Sequence, residues 1–365
     1  MLLLATKGSK RVRLLQAARA QLALPPAQVL EWRDWLARPE LLDAALDQPT
    51  LLKIVFKIEP PGDDPLAHVQ LLHEGCRLMD RAPVRAPEHG ELLAMEAWFA
   101  GFSSAMGRLS RQLAALPRAH AVNAPSEITL MTDKLACQCH LAEHGVAIPA
   151  LLGRIGGYDH LQSLLHQHDL DRVYLKPRYG SSASGVVAYR RNRTGRQQAT
   201  TSASLLRVGG ETRLFNVKRI ARHESAADIA ALVDALAAQE LYAEAWLDKP
   251  RCGDSHYDLR VVAIAGQPAH RVARLGTQMM TNLHLDNQRA NAATLLNDAD
   301  MAALEAATRQ AALAFPASDV AGYDLVVRRG QAHVLEANAF GDLLPGLLWQ
   351  GHDTHAAQLR HLHHD

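Results

Sequence analysis

Residues 173–187 read Val173-Tyr174-Leu175-Lys176-Pro177-Arg178-Tyr179-Gly180-Ser181-Ser182-Ala183-Ser184-Gly185-Val186-Val187. A strand delivers Lys176, a loop of small residues follows, and a second strand leaves. Glycine and serine let backbone amides approach phosphate oxygens closely, while the lysine supplies a point charge. Neither a Walker loop nor a dinucleotide fingerprint is present, so any phosphate cradle here is of another kind. The same pattern also fits a plain surface hairpin, and the rest of the chain must discriminate.

The second informative stretch runs from Ala321-Gly322-Tyr323-Asp324-Leu325-Val326-Val327 through Arg328-Arg329-Gly330 to Gln331-Ala332-His333-Val334-Leu335-Glu336-Ala337-Asn338. If Arg328-Arg329-Gly330 is a three-residue loop, Gly330 takes the left-handed position such loops require. Asp324 then lies opposite Val334, and Gly322 opposite Glu336. Asp324, Glu336 and Asn338 share one face, with Asp324 and Glu336 as diagonal neighbours. Two carboxylates and an amide oxygen suit Mg²⁺, which prefers oxygen ligands and keeps some water or phosphate. A two-residue loop places Asp324 and Glu336 on opposite faces, and the alternative to a metal site is simply a polar sheet face.

With intervening residues added, the order is Asp133-Lys134, Lys176-Pro177 with its Gly/Ser loop, Glu244-Ala245-Trp246-Leu247, Asp258-Leu259-Arg260, Arg274, Asp324, then Glu336-Ala337-Asn338. Over residues 123–345 this order resembles the ATP-grasp superfamily. It is most similar to the branch holding ribosomal-protein glutamate ligases, glutathione synthetases and peptide ligases.

The resemblance implies α/β and α+β architecture, an ATP-grasp fold of two α+β lobes preceded by an N-terminal α/β domain. It implies that Lys134 and Lys176 touch ATP phosphates, while the loop with Gly180, Ser181, Ser182, Ser184 and Gly185 closes over them. Glu244 to Leu247 would form the interlobe hinge that reads the adenine edge, with Asp248 near the ribose. Arg260 and Arg274 would neutralise the transferred phosphoryl group and an acyl phosphate. Asp324, Glu336 and Asn338 would hold Mg²⁺, with Mn²⁺ as an alternative ion, and Asn282 would stand near the substrate. The activity implied is an ATP-dependent carboxylate–amine ligase. The rivals are a phosphotransferase, a carboxylase-type subunit, and a nucleotide sensor without turnover.

The chain departs from the family pattern twice. Residues 190–222 are longer than in the simplest members, and Ala339-Phe340-Gly341-Asp342-Leu343-Leu344-Pro345-Gly346 replaces the usual small-residue ending. Both lie where substrate should approach, so the acid, the amine and the choice between peptide and small metabolite stay open.

Upstream, residues 2–5 read as a buried strand. After Gly8-Ser9, Val12, Leu15 and Ala18 fall at helical spacing, and Val29-Leu30-Glu31-Trp32 reads as a second strand. Strand, helix, strand predicts a small parallel sheet. Three units are expected, 1–122, 123–200 and 201–365, with residues 190–204 as an exposed connection.

The chain has 365 residues and a formal charge of +1, so no field of one sign points to nucleic acid or an anionic membrane. No apolar run approaches the roughly 20 residues that span a bilayer. Basic residues follow the apolar opening instead of preceding it, the reverse of a signal peptide, and the chain reads as cytoplasmic. Oligomeric state is left open. Four cysteines form no disulfide framework in a chain of this length. Cys137 and Cys139 point to opposite sides of a helix, which disfavours a zinc site with His140. Trp32 and Trp35 read as packing, and His352, His355, His361, His363 and His364 as a solvated terminal helix.

Overall fold

The computed structural model describes the chain except residues 47–52, 117, 181–183, 278–287 and 365. The N-terminal part contains β1 (Leu2–Ala5), α1 (Lys10–Gln21), β2 (Gln28–Glu31), α2 (Trp32–Ala37), α3 (Glu40–Leu46), β3 (Ile54–Ile58), α4 (Pro65–Leu78), α5 (Met95–Ala114) and β4 (Ala119–Ala121). Its strands pair in parallel in the order β2-β1-β3-β4, so the expected small parallel sheet is present. Ser9 caps α1 by accepting from the Val12 amide, and Val12, Leu15 and Ala18 are buried as their spacing requires. Trp32 opens α2 instead of ending a strand, and packs edge-on to Trp35 at 5.8 Å between ring centres.

Helices α4 and α5 cross at two glycines. A Cβ on Gly101 would sit 1.9 Å from the Leu71 carbonyl oxygen, and one on Gly75 would sit 1.6 Å from that of Ala97. Neither neighbour is a side chain that could swing away. Gly101→Ala should therefore cost about 1–3 kcal/mol through forced separation of the helices. A urea midpoint equal to that of the parent would refute this account of the crossing.

Next come α6 (Pro125–Thr132), α7 (Lys134–Glu143), β5 (Leu151–Ile155), α8 (Tyr158–Gln167), β6 (Arg172–Pro177), β7 (Val187–Arg191), β8 (Gln197–Val208), β9 (Glu211–His223), α9 (Ala226–Ala237) and β10 (Leu241–Ala245). The last part holds β11 (Arg251–Cys252), β12 (Ser255–Ile264), β13 (Gln267–Gly276), β14 (Gln288–Ala290), α10 (Asp298–Leu313), β15 (Val320–Arg328), β16 (Gln331–Asn338) and α11 (Thr354–His364). Two six-stranded sheets are formed. One is antiparallel throughout, in the order β5-β10-β6-β7-β8-β9; the other contains β14-β13-β12-β15-β16 with β11 beside β12.

This topology corrects the expected boundary at residue 200. The polar stretch after Arg190 is mostly strand, and β8, β9, α9 and β10 all belong to the central lobe, which extends to Ala245. Polar side chains misled the reading because β8 and β9 have only one face packed on helices.

The hydrophobic core cuts differently from the three expected units. One continuous cluster joins Leu4, Phe56 and Phe102 of the N-terminal part to Ile128, Met131 and Leu141 of α6 and α7, and to Leu259, Tyr323 and Phe315 of the C-terminal lobe. The central lobe has its own cluster, including Leu161, Val173, Leu175, Val187, Tyr189, Leu232 and Leu236. A buried polar network adds to the first body. Asp342 accepts from Arg11 at 2.6 Å, Lys57 at 3.1 Å and Gln358 at 2.9 Å. Burial opposes the charge on Asp342, but Lys57 and Arg11 hold its carboxyl well below the ordinary range.

The terminal helix α11 is not the solvated helix that its histidines suggested. His355, Gln358 and Leu359 are buried, because α11 packs on α1 and β12. No helix among the described residues is long and apolar enough to cross a membrane.

Candidate functional site

Alternation along the central sheet sorts its side chains. Val173, Leu175, Val187 and Tyr189 face the helices, so Tyr174, Lys176, Val186 and Ala188 face the other way. On that side a cleft of about 80 Å³ opens against the C-terminal sheet. Lys134, Lys176, Glu244, Lys249, Asp258, Arg274, Asp324 and Glu336 line it, together with apolar Pro149, Val186, Leu247, Val326 and Leu335. Residues from widely separated places in the sequence therefore meet in one site.

Each basic residue is locked by local structure. Asp133 caps α7 by accepting from the Ala136 amide at 3.1 Å, and pairs with Arg178, whose carbonyl accepts from Lys134 N at 2.9 Å. Lys134 is thereby fixed at the helix start, and its ammonium pairs with Glu336 across the cleft. Lys176 pairs with Glu244 from the neighbouring strand β10. Burial raises the Glu244 carboxyl above its ordinary range, against the pull of Lys176.

The described ends of the Gly/Ser loop rest on the N-terminal part. Phe99 of α5 stacks on Tyr179 at 4.3 Å between ring centres. Gly180 has φ of +119°, and a Cβ there would lie 2.7 Å from Met95 Cε. Gly185 has φ of +74°, and its Cβ would meet Pro177 Cγ at 2.7 Å. Asn216 accepts from the Gly185 amide at 3.4 Å, and its own amide donates to Gly90 at 2.7 Å. Ser181 and Ser182 lie outside the described residues; Ser184 is half-buried.

On the opposing sheet the charges alternate. Asp258 accepts from Lys249 at 2.9 Å and from Arg274 Nε at 2.7 Å. Asp324 accepts from Arg274 Nη2 at 3.1 Å and from Arg260 Nη2 at 3.0 Å, with Arg260 Nε on its other oxygen. Burial alone would raise both carboxyls; Arg274 with Lys249 lowers Asp258, and Arg260 with Arg274 lowers Asp324. Lys249 shifts down because burial, with like charge from Arg274, outweighs the pull of Asp258 and Asp324. Both arginines, expected beside phosphoryl and acyl phosphate groups, are thus anchored on carboxylates.

The hairpin of β15 and β16 corrects the expected register. Arg328 pairs with Gln331, so the loop is the two residues Arg329 and Gly330, with φ of +54° and +72°. Both positive values are those of a type I′ turn. Taken alone, that turn would put Glu336 on the wrong face. A β-bulge then intervenes: Leu325 pairs with Val334, but Asp324 pairs directly with Glu336, leaving Leu335 as the extra residue. Asp324 is therefore opposite Glu336 rather than Val334, and Gly322 is opposite Asn338 rather than Glu336. Leu335 and Glu336 both line the cleft.

Asp324 and Glu336 in direct register, with Asn338 two residues on, offer the hard oxygen donors that Mg²⁺ takes. The Asn338 Nδ2 is buried without a hydrogen-bond partner among the described residues, a donor that an anionic oxygen could satisfy and a cation could not. No group of three or more His, Cys, Asp or Glu converges among the described residues, so remaining coordination would come from phosphate and water. Burial pushes the Cys137 thiol up to about 12, while Cys139 is exposed.

One expected residue sits elsewhere. Asp248 makes a two-pronged pair with Arg172 at 2.8 and 3.0 Å and does not line the cleft; Lys249 does. Asn282 falls outside the described residues. Lys249, Tyr174 and Leu335 were missed. The period-2 alternation around Lys176 could have found Tyr174; nothing local foretold the other two.

No protein-family model matches the chain. No curated protein matches its sequence. Solved structures do match. Over 99% of each chain the fold is similar to D-cycloserine synthetase DcsG, at TM-score 0.54 and 15% identity. Similarity to the ATP-grasp ligase PsnB, solved with a minimal precursor, covers 100% of this chain and 98% of that one, at TM-score 0.54 and 11% identity. N5-carboxyaminoimidazole ribonucleotide synthetase from Thermotoga maritima matches over 93% of this chain and 67% of its own, at TM-score 0.50 and 10% identity.

Proposed function

From a chain with the ATP-grasp fold and this charged cleft, we propose an ATP- and Mg²⁺-dependent ligase that joins a carboxylate to an amine through an acyl phosphate. The observation that carries the reading is the set of ion pairs lining the cleft. Lys134 and Lys176 stand ready for phosphates, while Asp324 and Glu336 sit in register between them and two arginines.

In this reading, Lys134 and Lys176 bind and orient the ATP phosphates, and residues 180–185 cover them. The hinge from Glu244 to Leu247 reads the adenine, against an apolar wall of Val186, Val326 and Leu335. Asp324, Glu336 and Asn338 hold Mg²⁺, or Mn²⁺, which neutralises phosphate charge when bound. A substrate carboxylate oxygen attacks the γ-phosphorus, and ADP leaves. The amine nitrogen then attacks the acyl carbon, expels orthophosphate and loses a proton to give the amide. Arg260 and Arg274 keep Asp324 oriented and supply positive charge beside the phosphoryl group. The substrate pair, a peptide or a small metabolite, is assigned here only by class.

Lys176→Ala should weaken ATP binding ten- to a hundredfold, since a charge-assisted contact to phosphate is worth about 1.5–3 kcal/mol. Calorimetry showing unchanged affinity would remove Lys176 from the site. For the reaction type, a substrate screen reads phosphate release, with hydroxylamine added to trap the activated acid as a hydroxamate. ADP formed with a stable phosphorylated product, and no hydroxamate, identifies a phosphotransferase instead. ATP binding without ADP formation for every acceptor identifies a sensor.

A further inference from the structure

The turn that follows Asn338 is clamped at successive carbonyls. That of Asn338 accepts from the Gly341 amide at 3.1 Å, and that of Ala339 from Asn123 Nδ2 at 3.1 Å. The Phe340 carbonyl accepts from Arg11 Nη2, and the Gly341 carbonyl from Arg260 Nη1 at 3.3 Å. Side chains thus reach the turn from the start of α1, from beyond β4 and from β12.

The same contacts extend to Asp324. The guanidinium that holds Gly341 also binds both oxygens of Asp324. Gly341 lies against Gly322, which precedes Asp324 on the same face of β15. A Cβ on Gly322 would sit 2.5 Å from the Gly341 carbonyl oxygen, and one on Gly341 would sit 2.8 Å from Asn338 Cβ. A shift of the turn is therefore passed to Asn338 along the chain and to Asp324 through Arg260.

Asp342 ends this turn, and its surroundings exceed what packing needs. Its carboxylate, 1% exposed, takes Arg11 on one oxygen and Lys57 with Gln358 on the other. Glu59 lies 3.2 Å from Arg11 and 3.5 Å from Lys57, so cations and carboxylates are buried as one array. Such an array adds little net stability over apolar residues of the same volume. What apolar residues could not do is fix a direction. With Nη1 held between Asp342 and Glu59, the planar fork of Arg11 aims Nη2 at the Phe340 carbonyl.

We propose that Asp342, acting through Arg11, is a positioning residue for the reaction: it holds the turn from Ala339 to Asp342, and thereby the Asn338 side chain and the Arg260 guanidinium beside Asp324. The proposal rests on the reading of the cleft as a ligase site.

The test compares Asp342→Asn and Arg11→Lys with the parent, all as full chains. Asp342→Asn is nearly isosteric but gives up the charge that orients Arg11. Its kcat for phosphate release should fall about ten- to a hundredfold, the usual cost of losing support behind a metal-site residue. ATP affinity by calorimetry should stay within about twofold, because Lys134 and Lys176 stand on other elements. Hydrogen exchange supplies a readout that needs neither metal nor turnover. The Gly341 amide should exchange about tenfold faster in the variant, while the β1 amides keep the parent's protection. Arg11→Lys keeps a cation between Asp342 and Glu59 but loses the fork that reaches Phe340, so it should show the same pattern with kcat down about tenfold. It decides the matter if the asparagine variant does not fold. Full kcat in either folded variant, or β1 exchange accelerated as much as that of Gly341, overturns the role of Asp342 and leaves the ligase reading standing. A loss of ATP affinity equal to the loss of kcat does the same. A parent that releases no phosphate with any acceptor overturns the ligase reading, and this role with it.

Discussion

Arg274→Met should remove about 3–5 kcal/mol of stability and abolish hydroxamate formation, with a much smaller effect on ATP affinity. The stability term follows from burial: Arg274 is 5% exposed and lies between Asp258 and Asp324, both 3% exposed. Removing one partner from a buried ionic array leaves uncompensated charge, which costs far more than the array's net worth. The pH dependence has a definite sign. In the parent both carboxyls are held below their ordinary range, so their contribution is fully present above about pH 3.9 and is lost only as pH falls through the depressed values. In the variant, burial with fewer cations raises both carboxyls, so protonation relieves the folded state as pH falls. The gap between parent and variant should therefore be widest at pH 7 and narrower near pH 4. Urea midpoints at the two values measure it, and a gap that widens with acid contradicts the pairing described.

Glu336→Gln should lower metal-dependent turnover about a hundredfold or more, since even residues that only support metal ligands typically cost ten- to a hundredfold. The substitution is nearly isosteric, but it removes a charge from the Asp324–Glu336 pair and frees Lys134 from its carboxylate. Turnover should need a higher Mg²⁺ concentration, while the melting temperature changes little because Glu336 is a quarter exposed. A Mg²⁺ titration of phosphate release, parent against variant, is the measurement. Coincident titration curves would show that Glu336 does not meet the metal.

The set of residues that meets in the cleft was more legible in the sequence than the partition was. Lys134, Lys176, Glu244, Arg274, Asp324 and Glu336 each announced themselves through residue type and order, and the structure brings them into one cleft. The hairpin shows where pattern reading stops. Its turn chemistry and its alternation gave opposite answers about Glu336, because a single bulged residue, Leu335, changes the count without changing the composition. Lobe boundaries failed for another reason. Strands β8 and β9 carry arginine, threonine and glutamine on an open face and so look like connection, although both are hydrogen-bonded into the central sheet. Lys249 was invisible beside Asp248, because only the fold decides which of two adjacent charges turns inward.

The division of the core has a mechanical consequence. The N-terminal part, α6, α7 and the C-terminal lobe share one apolar cluster and the buried Asp342 network, so they make up a single block. The central lobe is the opposing jaw. The chain enters it at residues 144–150 and leaves it at residues 246–250, and a tether from the block crosses it where Leu92 N donates to Leu214 and Gly90 accepts from Asn216. Any widening of the cleft is therefore a turn of one plate against one block, checked by that tether. Because Asn216 also accepts from the Gly185 amide, the end of the Gly/Ser loop sits where block and plate are laced together.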